Sequence, residues 1–307
     1  DLITLPRLID SSNATPSDWL QLNQLIHQYA AQYYAFIILH GTDTLSYTAS
    51  ALSFIAPKNK KVLITGSQYP LETHNTDAID NIEGALLYTQ QSLNSSSSSE
   101  HDFTGSVVFG GKVLQGNRTT KISTYSPQGF DSPNAQPLSF YHHGKLQPNP
   151  QRVSSTRATD TSTKISPINE TYLQPQIQAD AQVVILKLWP GIQAHHIHSL
   201  LAPPIKGVVL ESYGSGNAPN LNEPLLAAFK AATDQGIVIV NRSQCPQGSV
   251  STSYASGSAL ARAGIISAFD MTCEAAFSKL SLLLMSDLPV DEVKVVFQQN
   301  LSGEFSV

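Results

Sequence analysis

Cysteine is nearly absent: Cys245 and Cys273 are the two in 307 residues, far apart and in no CxxC spacing. That excludes a disulfide framework and the usual spacing of a zinc site, and such thiol usage fits a reducing compartment. Charge is scarce as well, at 13% Asp, Glu, Lys and Arg with a net of −5. No cluster of Lys and Arg supplies the electrostatic footprint of a nucleic-acid or polyanion binder. Long apolar runs are lacking too. The longest, Ala35–Leu39 and Val183–Leu188, are of strand length, well short of the ~20 residues a membrane span needs. The chain opens on Asp1 rather than Met and passes at once into a strand-like phrase, so a targeting or structural segment upstream is compatible with it. What remains is a globular composition, 41% apolar, with a length suited to two domains of ~100–200 residues each.

Periodicity organises those domains. From Asp18 to Tyr34, Trp19, Leu20, Leu22, Leu25, Ile26, Tyr29, Ala30 and Tyr33 recur at three-to-four spacing behind Thr15-Pro16, which predicts an amphipathic helix with an N-cap and Pro at N1. Ala35–Leu39 then reads as a parallel strand buried on both faces, ending in His40-Gly41-Thr42-Asp43-Thr44. The alternation continues with a helix over Tyr47–Ile55, a strand over Lys61–Thr65, a helix from about Asp77 to Gln90 and a strand over Ser106–Phe109, the pattern of a parallel α/β sheet. Ser92–Glu100 is a serine-rich tract read as a solvated loop. From about Tyr141 to Ala179 the chain is polar and aperiodic, and residues 151–180 are taken as an interdomain linker between a domain over 1–150 and a smaller one over 181–307. The latter is expected to contain strands over Val183–Leu188, Gly207–Leu210 and Ile237–Asn241, and helices over Gln193–Leu201, Asn222–Asp234 and Cys273–Met285.

In an open α/β sheet, ligands bind beyond the carboxyl ends of the strands, so the loops after Leu39, Thr65 and Phe109 are where a site is expected. The first offers two hydroxyls and a carboxylate around Gly41. The third leads into Asn117-Arg118-Thr119-Thr120-Lys121. A lysine amine held by a carboxylate can activate a hydroxyl or a water as a general base, which makes Thr42, Lys121 and Asp43 a candidate group. Taken alone, Gly-Thr-Asp-Thr serves equally well as a turn and helix cap.

These phrases do not stand alone. Ile38-Leu39-His40-Gly41-Thr42-Asp43-Thr44 with Tyr47-Thr48-Ala49-Ser50, Asp10-Ser11-Ser12, Ile64-Thr65-Gly66-Ser67-Gln68-Tyr69-Pro70-Leu71, Gly116-Asn117-Arg118-Thr119-Thr120-Lys121, Ser212-Tyr213-Gly214-Ser215-Gly216-Asn217-Ala218-Pro219 and Asp270-Met271-Thr272 occur along the whole chain. Together they resemble the bacterial type I (cytoplasmic) L-asparaginases. The resemblance implies two α/β domains, a larger flavodoxin-like one and a smaller C-terminal one. The implied reaction is hydrolysis of the side-chain amide of L-asparagine to L-aspartate and ammonia through a threonine acyl-enzyme. Thr42, Asp43 and Lys121 would form a rigid catalytic triad. Ser11 and Ser12 would hold the substrate's α-carboxylate and α-amino region, with Thr42 and Asp43 beside them and Asp43 facing the ammonium. Asn217 would lie near a neighbouring subunit's site in a homodimer or homotetramer, although a turn-forming Asn explains it equally well. No metal and no organic cofactor is implied, and neither nucleic acid nor membrane is an expected partner. In two places the chain departs from the pattern. The family's nucleophilic threonine belongs to a Thr-Gly-Gly-Thr-Ile-like motif that would precede Asp1, so this chain is expected to be incomplete as a catalyst and to leave a sheet edge uncovered; Thr15, before Pro16, caps a helix instead. Glu211 stands where some relatives have arginine, so a regulatory pocket does not carry over. The alternatives are a chain that binds asparagine or aspartate without turnover, and a glutaminase or amidotransferase-type amidase.

Two further signals are weaker. Gly111 to Gly116 followed by Asn117 lacks the lysine of a phosphate loop. His195, His196 and His198 read as a polar helix face rather than a metal site, and Trp19 and Trp189 as packing residues.

Overall fold

The computed structural model describes residues 1–5, 7–94, 104–151, 173, 175, 182–250 and 259–306. It divides into two units, Asp1–Ser132 with Gln136–Arg157, and Pro133–Ala135 with Ala158–Val307. In the first unit the elements are α1 (Pro16–Tyr29), β1 (Ala35–Leu39), α2 (Leu45–Ile55), β2 (Lys61–Thr65), α3 (Ala78–Asn94), β3 (Ser106–Phe109), β4 (Lys112–Gln115), β5 (Thr120–Lys121), β6 (Phe130–Asp131), β7 (Ser139–His142) and β8 (Lys145–Pro148). Pro16 sits at the first turn of α1, and the Asp18 carboxylate accepts hydrogen bonds from the Thr15 backbone N–H at 2.7 Å and hydroxyl at 2.8 Å. Thr15 is thereby the helix cap its place before proline predicts.

Six strands form one sheet in the order β1-β2-β3-β4-β7-β8. β1, β2 and β3 run parallel, with Ile37 opposite Leu63 and Ile38 opposite Ile64. From β3 onward the pairing turns antiparallel, through β4, β7 and β8. The sheet is therefore mixed, and two hairpins stand where the sequence suggested a loop and the start of a linker. Period 2 sorts the strand residues onto two covered faces. Val62, Ile64, Val107, Phe109 and Leu114 join Leu45 and Leu52 of α2 in one core, while Leu63, Val108 and Val113 join Ala85 and Tyr88 of α3 in the other. β2 and β3 are wholly buried. β1 is not: it lies at the edge of the sheet, its residues only partly covered and Leu39 61% exposed. The expectation of burial on both faces is corrected there: among the described residues, β2 is the one strand paired with β1. α3 extends through Asn94, into the tract read as a loop, whose remainder lies outside the described residues.

The second unit has β9 (Val183–Lys187), α4 (Ala194–Leu200), β10 (Gly207–Ser212), α5 (Glu223–Asp234), β11 (Val238–Ser243), α6 (Ala259–Arg262), β12 (Ile266–Ser267), α7 (Cys273–Leu284) and α8 (Val290–Phe297). Its four strands, in the order β12-β11-β10-β9, are all parallel. Asn222 caps α5 by accepting from the Leu225 N–H, and Thr272 caps α7 by accepting from the Ala275 N–H. The short excursion Pro133–Ala135 belongs to this unit: the Asn134 amide donates to the carbonyl of Asp270 at 3.0 Å and accepts from the Gly248 N–H at 2.9 Å. Apart from residues 173 and 175, the linker from 152 through 180 lies outside the described residues.

Candidate active site

The candidate group assembles at the carboxyl end of β1. Gly41 is required there: a Cβ at that position would lie 2.5 Å from the Ser11 Oγ. Ser11, buried in a short 3-10 turn over Ser11–Asn13, packs against the loop instead. Its Oγ accepts from the Asp43 N–H at 3.3 Å and its carbonyl from the Thr44 hydroxyl at 2.7 Å. Ser12 is exposed, and both its N–H and its hydroxyl donate to the Asp10 carboxylate, at 3.0 and 2.9 Å. Those two bonds, backbone first, hold the Asp10 carboxyl below its usual range.

Lys121 reaches this loop by a route the sequence did not reveal. The turn Gly110-Gly111, both residues at positive φ, folds β4 back on β3, and a 3-10 turn over Gly116–Arg118 then leads into β5. Lys121 Nζ donates to the Thr42 Oγ1 at 2.8 Å and lies 2.9 Å from an Asp43 carboxylate oxygen. The Lys121 side chain is 23% exposed and that of Asp43 60%, so the carboxylate faces open space with its other side accounted for by the lysine. The phosphate-loop near miss is β4 itself, a paired strand rather than an anion cradle.

His40, which no sequence pattern singles out, backs the loop. Its Nδ1 is 2.7 Å from the Gly41 carbonyl and its Nε2 2.9 Å from the Thr48 Oγ1. The carbonyl can only accept, so Nδ1 carries the proton and Nε2 takes the threonine hydroxyl's. Burial lowers the His40 pKa, against the opposing pull of the Gly41 carbonyl.

Asn217, in the second unit, is exposed. It closes a tight turn in which Tyr213 and Asn217 exchange backbone hydrogen bonds at 2.9 and 2.8 Å. Glu211, on β10, is paired with the Arg242 guanidinium. In α4, the His196 ring packs edge-on against Trp189 at 5.4 Å between centroids, and its Nδ1 accepts the Gln193 N–H at 3.0 Å. Trp189 is 39% exposed, Trp19 buried. No helix among the described residues is long and apolar enough to cross a membrane.

Comparison with known proteins agrees with this architecture. Residues 4–154 match the family description "Asparaginase, N-terminal" and residues 182–297 match "Glutaminase/Asparaginase C-terminal domain". The chain is 36% identical to L-asparaginase 1 of Escherichia coli over 304 residues, covering 97% of this chain and 82% of that one. It is also 36% identical over 302 residues to the mouse 60 kDa lysophospholipase, covering 98% of this chain and 50% of the relative, so it spans about half the length of that protein. The crystal structure of L-asparaginase I from Vibrio cholerae superposes with a TM-score of 0.77 at 34% identity, over 98% of this chain and 84% of that one. The chain belongs to the asparaginase family.

Proposed function

We propose that the protein hydrolyses the side-chain amide of L-asparagine to L-aspartate and ammonia, with Thr42, Lys121 and Asp43 as the catalytic group and Ser11 and Ser12 at the substrate's amino-acid end. The observation that carries the reading is the Lys121 Nζ held between the Thr42 hydroxyl and the Asp43 carboxylate. An amine so placed relays a proton from a hydroxyl to a departing nitrogen. In acylation a hydroxyl oxygen bonds to the amide carbon, the C–N bond breaks, and the hydroxyl's proton leaves with the nitrogen as ammonia. Water then splits the ester, returning the hydroxyl and releasing aspartate. The triad is assigned proton handling, and Asp43, more than half exposed, the substrate ammonium. We further place the protein in the cytoplasm, in asparagine catabolism, as a homodimer or homotetramer with Asn217 near a neighbouring subunit's site. Light scattering tests the assembly.

The test is ammonia release from L-asparagine and L-glutamine by the purified protein, with L-aspartate binding followed by calorimetry and a lysophospholipid as control ester. Ammonia from asparagine in excess over glutamine supports the reading. Aspartate binding without ammonia favours a binding protein, ammonia chiefly from glutamine a glutaminase, and cleavage of the control ester alone an activity like that named for the mouse relative.

A further inference from the structure

The strap between β5 and β6, Ile122–Gly129, directly follows Lys121 and closes on itself where the Ile122 N–H donates to the Gly129 carbonyl at 2.8 Å. It rests on two supports. The first is Gln68-Tyr69, beyond β2. The Gln68 side-chain amide lies 3.5 Å from the Ser123 carbonyl and the Tyr69 hydroxyl donates to the Tyr125 carbonyl at 3.2 Å. The second is Gly110, so close that a Cβ there would lie 2.6 Å from the Pro127 carbonyl.

Both supports are tied to one buried pair at the start of α3. The Asp77 carboxylate accepts the backbone N–H groups of Gln68, at 2.9 Å, and Tyr69, at 2.9 Å. Four residues on, the Asn81 amide donates to the Gly66 carbonyl at 2.9 Å and to Asp77 at 3.1 Å. Its carbonyl accepts the Gly110 N–H at 3.0 Å and the Tyr141 hydroxyl at 2.7 Å. Asn81 is 1% exposed and Tyr141 7%, and the Tyr141 ring lies where a Cβ on Gly84 would stand. With both amide donors and both lone pairs engaged, Asn81 has one orientation that satisfies every partner.

We propose that Asp77 and Asn81 are positioning residues for Lys121: they lock the loop ends of β2 and β3 together and so fix the strap from which Lys121 reaches Thr42 and Asp43. The assignment rests on the asparaginase reading for its catalytic consequence, and on hydrogen bonding alone for its mechanical one. A lysine that must bridge two oxygens tolerates little displacement, since an error of about 1 Å in a reacting constellation costs up to ~100-fold in rate.

The experiment compares the wild type with Asn81→Ala, Asp77→Ala, the milder Asp77→Asn, and Tyr141→Phe, which removes a single hydrogen bond. Hydrogen exchange is followed in peptides spanning 119–131, and kcat and KM for L-asparagine are measured below every variant's unfolding transition. Expected is exchange in the strap faster by roughly tenfold in the alanine variants and less in Asp77→Asn and Tyr141→Phe, with second-unit peptides unchanged. Expected with it is kcat lower by roughly tenfold or more at little-changed KM, again graded by severity. A lower melting temperature with wild-type strap exchange and wild-type kcat overturns the proposal and leaves the pair a structural anchor. If the wild type itself releases no ammonia, the asparaginase reading falls, and strap exchange then decides on its own: faster exchange sustains the mechanical tie and unchanged exchange ends it.

Discussion

A single ammonium group, that of Lys121, joins the Thr42 hydroxyl and the Asp43 carboxylate in the loop after β1. Without Lys121, Thr42 loses its donor and Asp43 its counter-charge, while the hydrogen bonds that Ser11 accepts from the Asp43 N–H and the Thr44 hydroxyl stay in place. Lys121→Met is therefore expected to lower kcat for L-asparagine by about 10²–10⁴-fold with a melting temperature close to wild type, because the Lys121–Asp43 pair is too exposed to contribute much stability. A large drop in melting temperature with kcat unchanged would remove Lys121 from the chemistry. His40 carries a pH prediction. Its folded-state pKa lies below the ordinary 6.5, so the unfolded chain binds the proton more readily. Its contribution to stability is complete above that ordinary value and is lost as pH falls through the depressed one. Urea midpoints at pH 7.5 and 5.5 should show this acid loss in the wild type and a smaller one in His40→Gln. Thr42 and Asp43 were legible in the sequence because they are contiguous at the end of an apolar run. Asp77, Asn81 and Tyr141 were not, since their partners at 66, 68, 69 and 110 are scattered along the chain.

Between elements, glycine governs how closely the loop ends of neighbouring strands approach. Gly66 follows β2 directly, and a Cβ there would lie 2.1 Å from the His40 carbonyl, backbone against backbone. Gly66→Ala is expected to push the ends of β1 and β2 apart and to cost about 2 kcal/mol, visible as a lower urea midpoint at unchanged slope. A midpoint within error of wild type would mean that the His40 peptide yields freely. Gly191, where a Cβ would meet nothing within 4 Å, offers a control for composition, with strain from its positive φ the only cost. The helices followed from a period of 3.6 and the parallel strands from short continuous apolar runs in the sequence. The hairpins β3–β4 and β7–β8 did not, because Gly110-Gly111 resembles any βα turn and Ser139–Pro148 is too short and polar to show alternation.

For the molecule as a whole, each unit carries its own buried core, and the second contains a fully buried ion pair. Lys279, at the centre of α7, donates to the carbonyls of Phe297 and Gln299 and to Glu304, with the rings of Phe297 and Phe305 over it. Glu304 in turn accepts the N–H groups of Leu301 and Ser302, so the pair ties the chain after α8 to α7. Removing one partner strands a charge in the interior. Lys279→Met is expected to cost about 3–5 kcal/mol, and Lys279→Met with Glu304→Leu distinctly less than the single changes summed. Calorimetry of the four proteins measures the coupling, and strict additivity would show that the two groups act independently.

By itself the sequence determined the class of fold, the order of helices and parallel strands, the capping of α1 by Thr15 and the place of Thr42 and Asp43 at the end of an apolar run. Each is a local property, set by periodicity, by proline and glycine, or by side chains adjacent in the chain. Only tertiary structure decided that the first unit's sheet turns antiparallel after β3, that Pro133–Ala135 belongs with the second unit, and that Asn81 binds two loop ends at once. Those depend on which distant backbone groups find each other, and a hydrogen bond between residues far apart in sequence leaves no pattern in either segment alone.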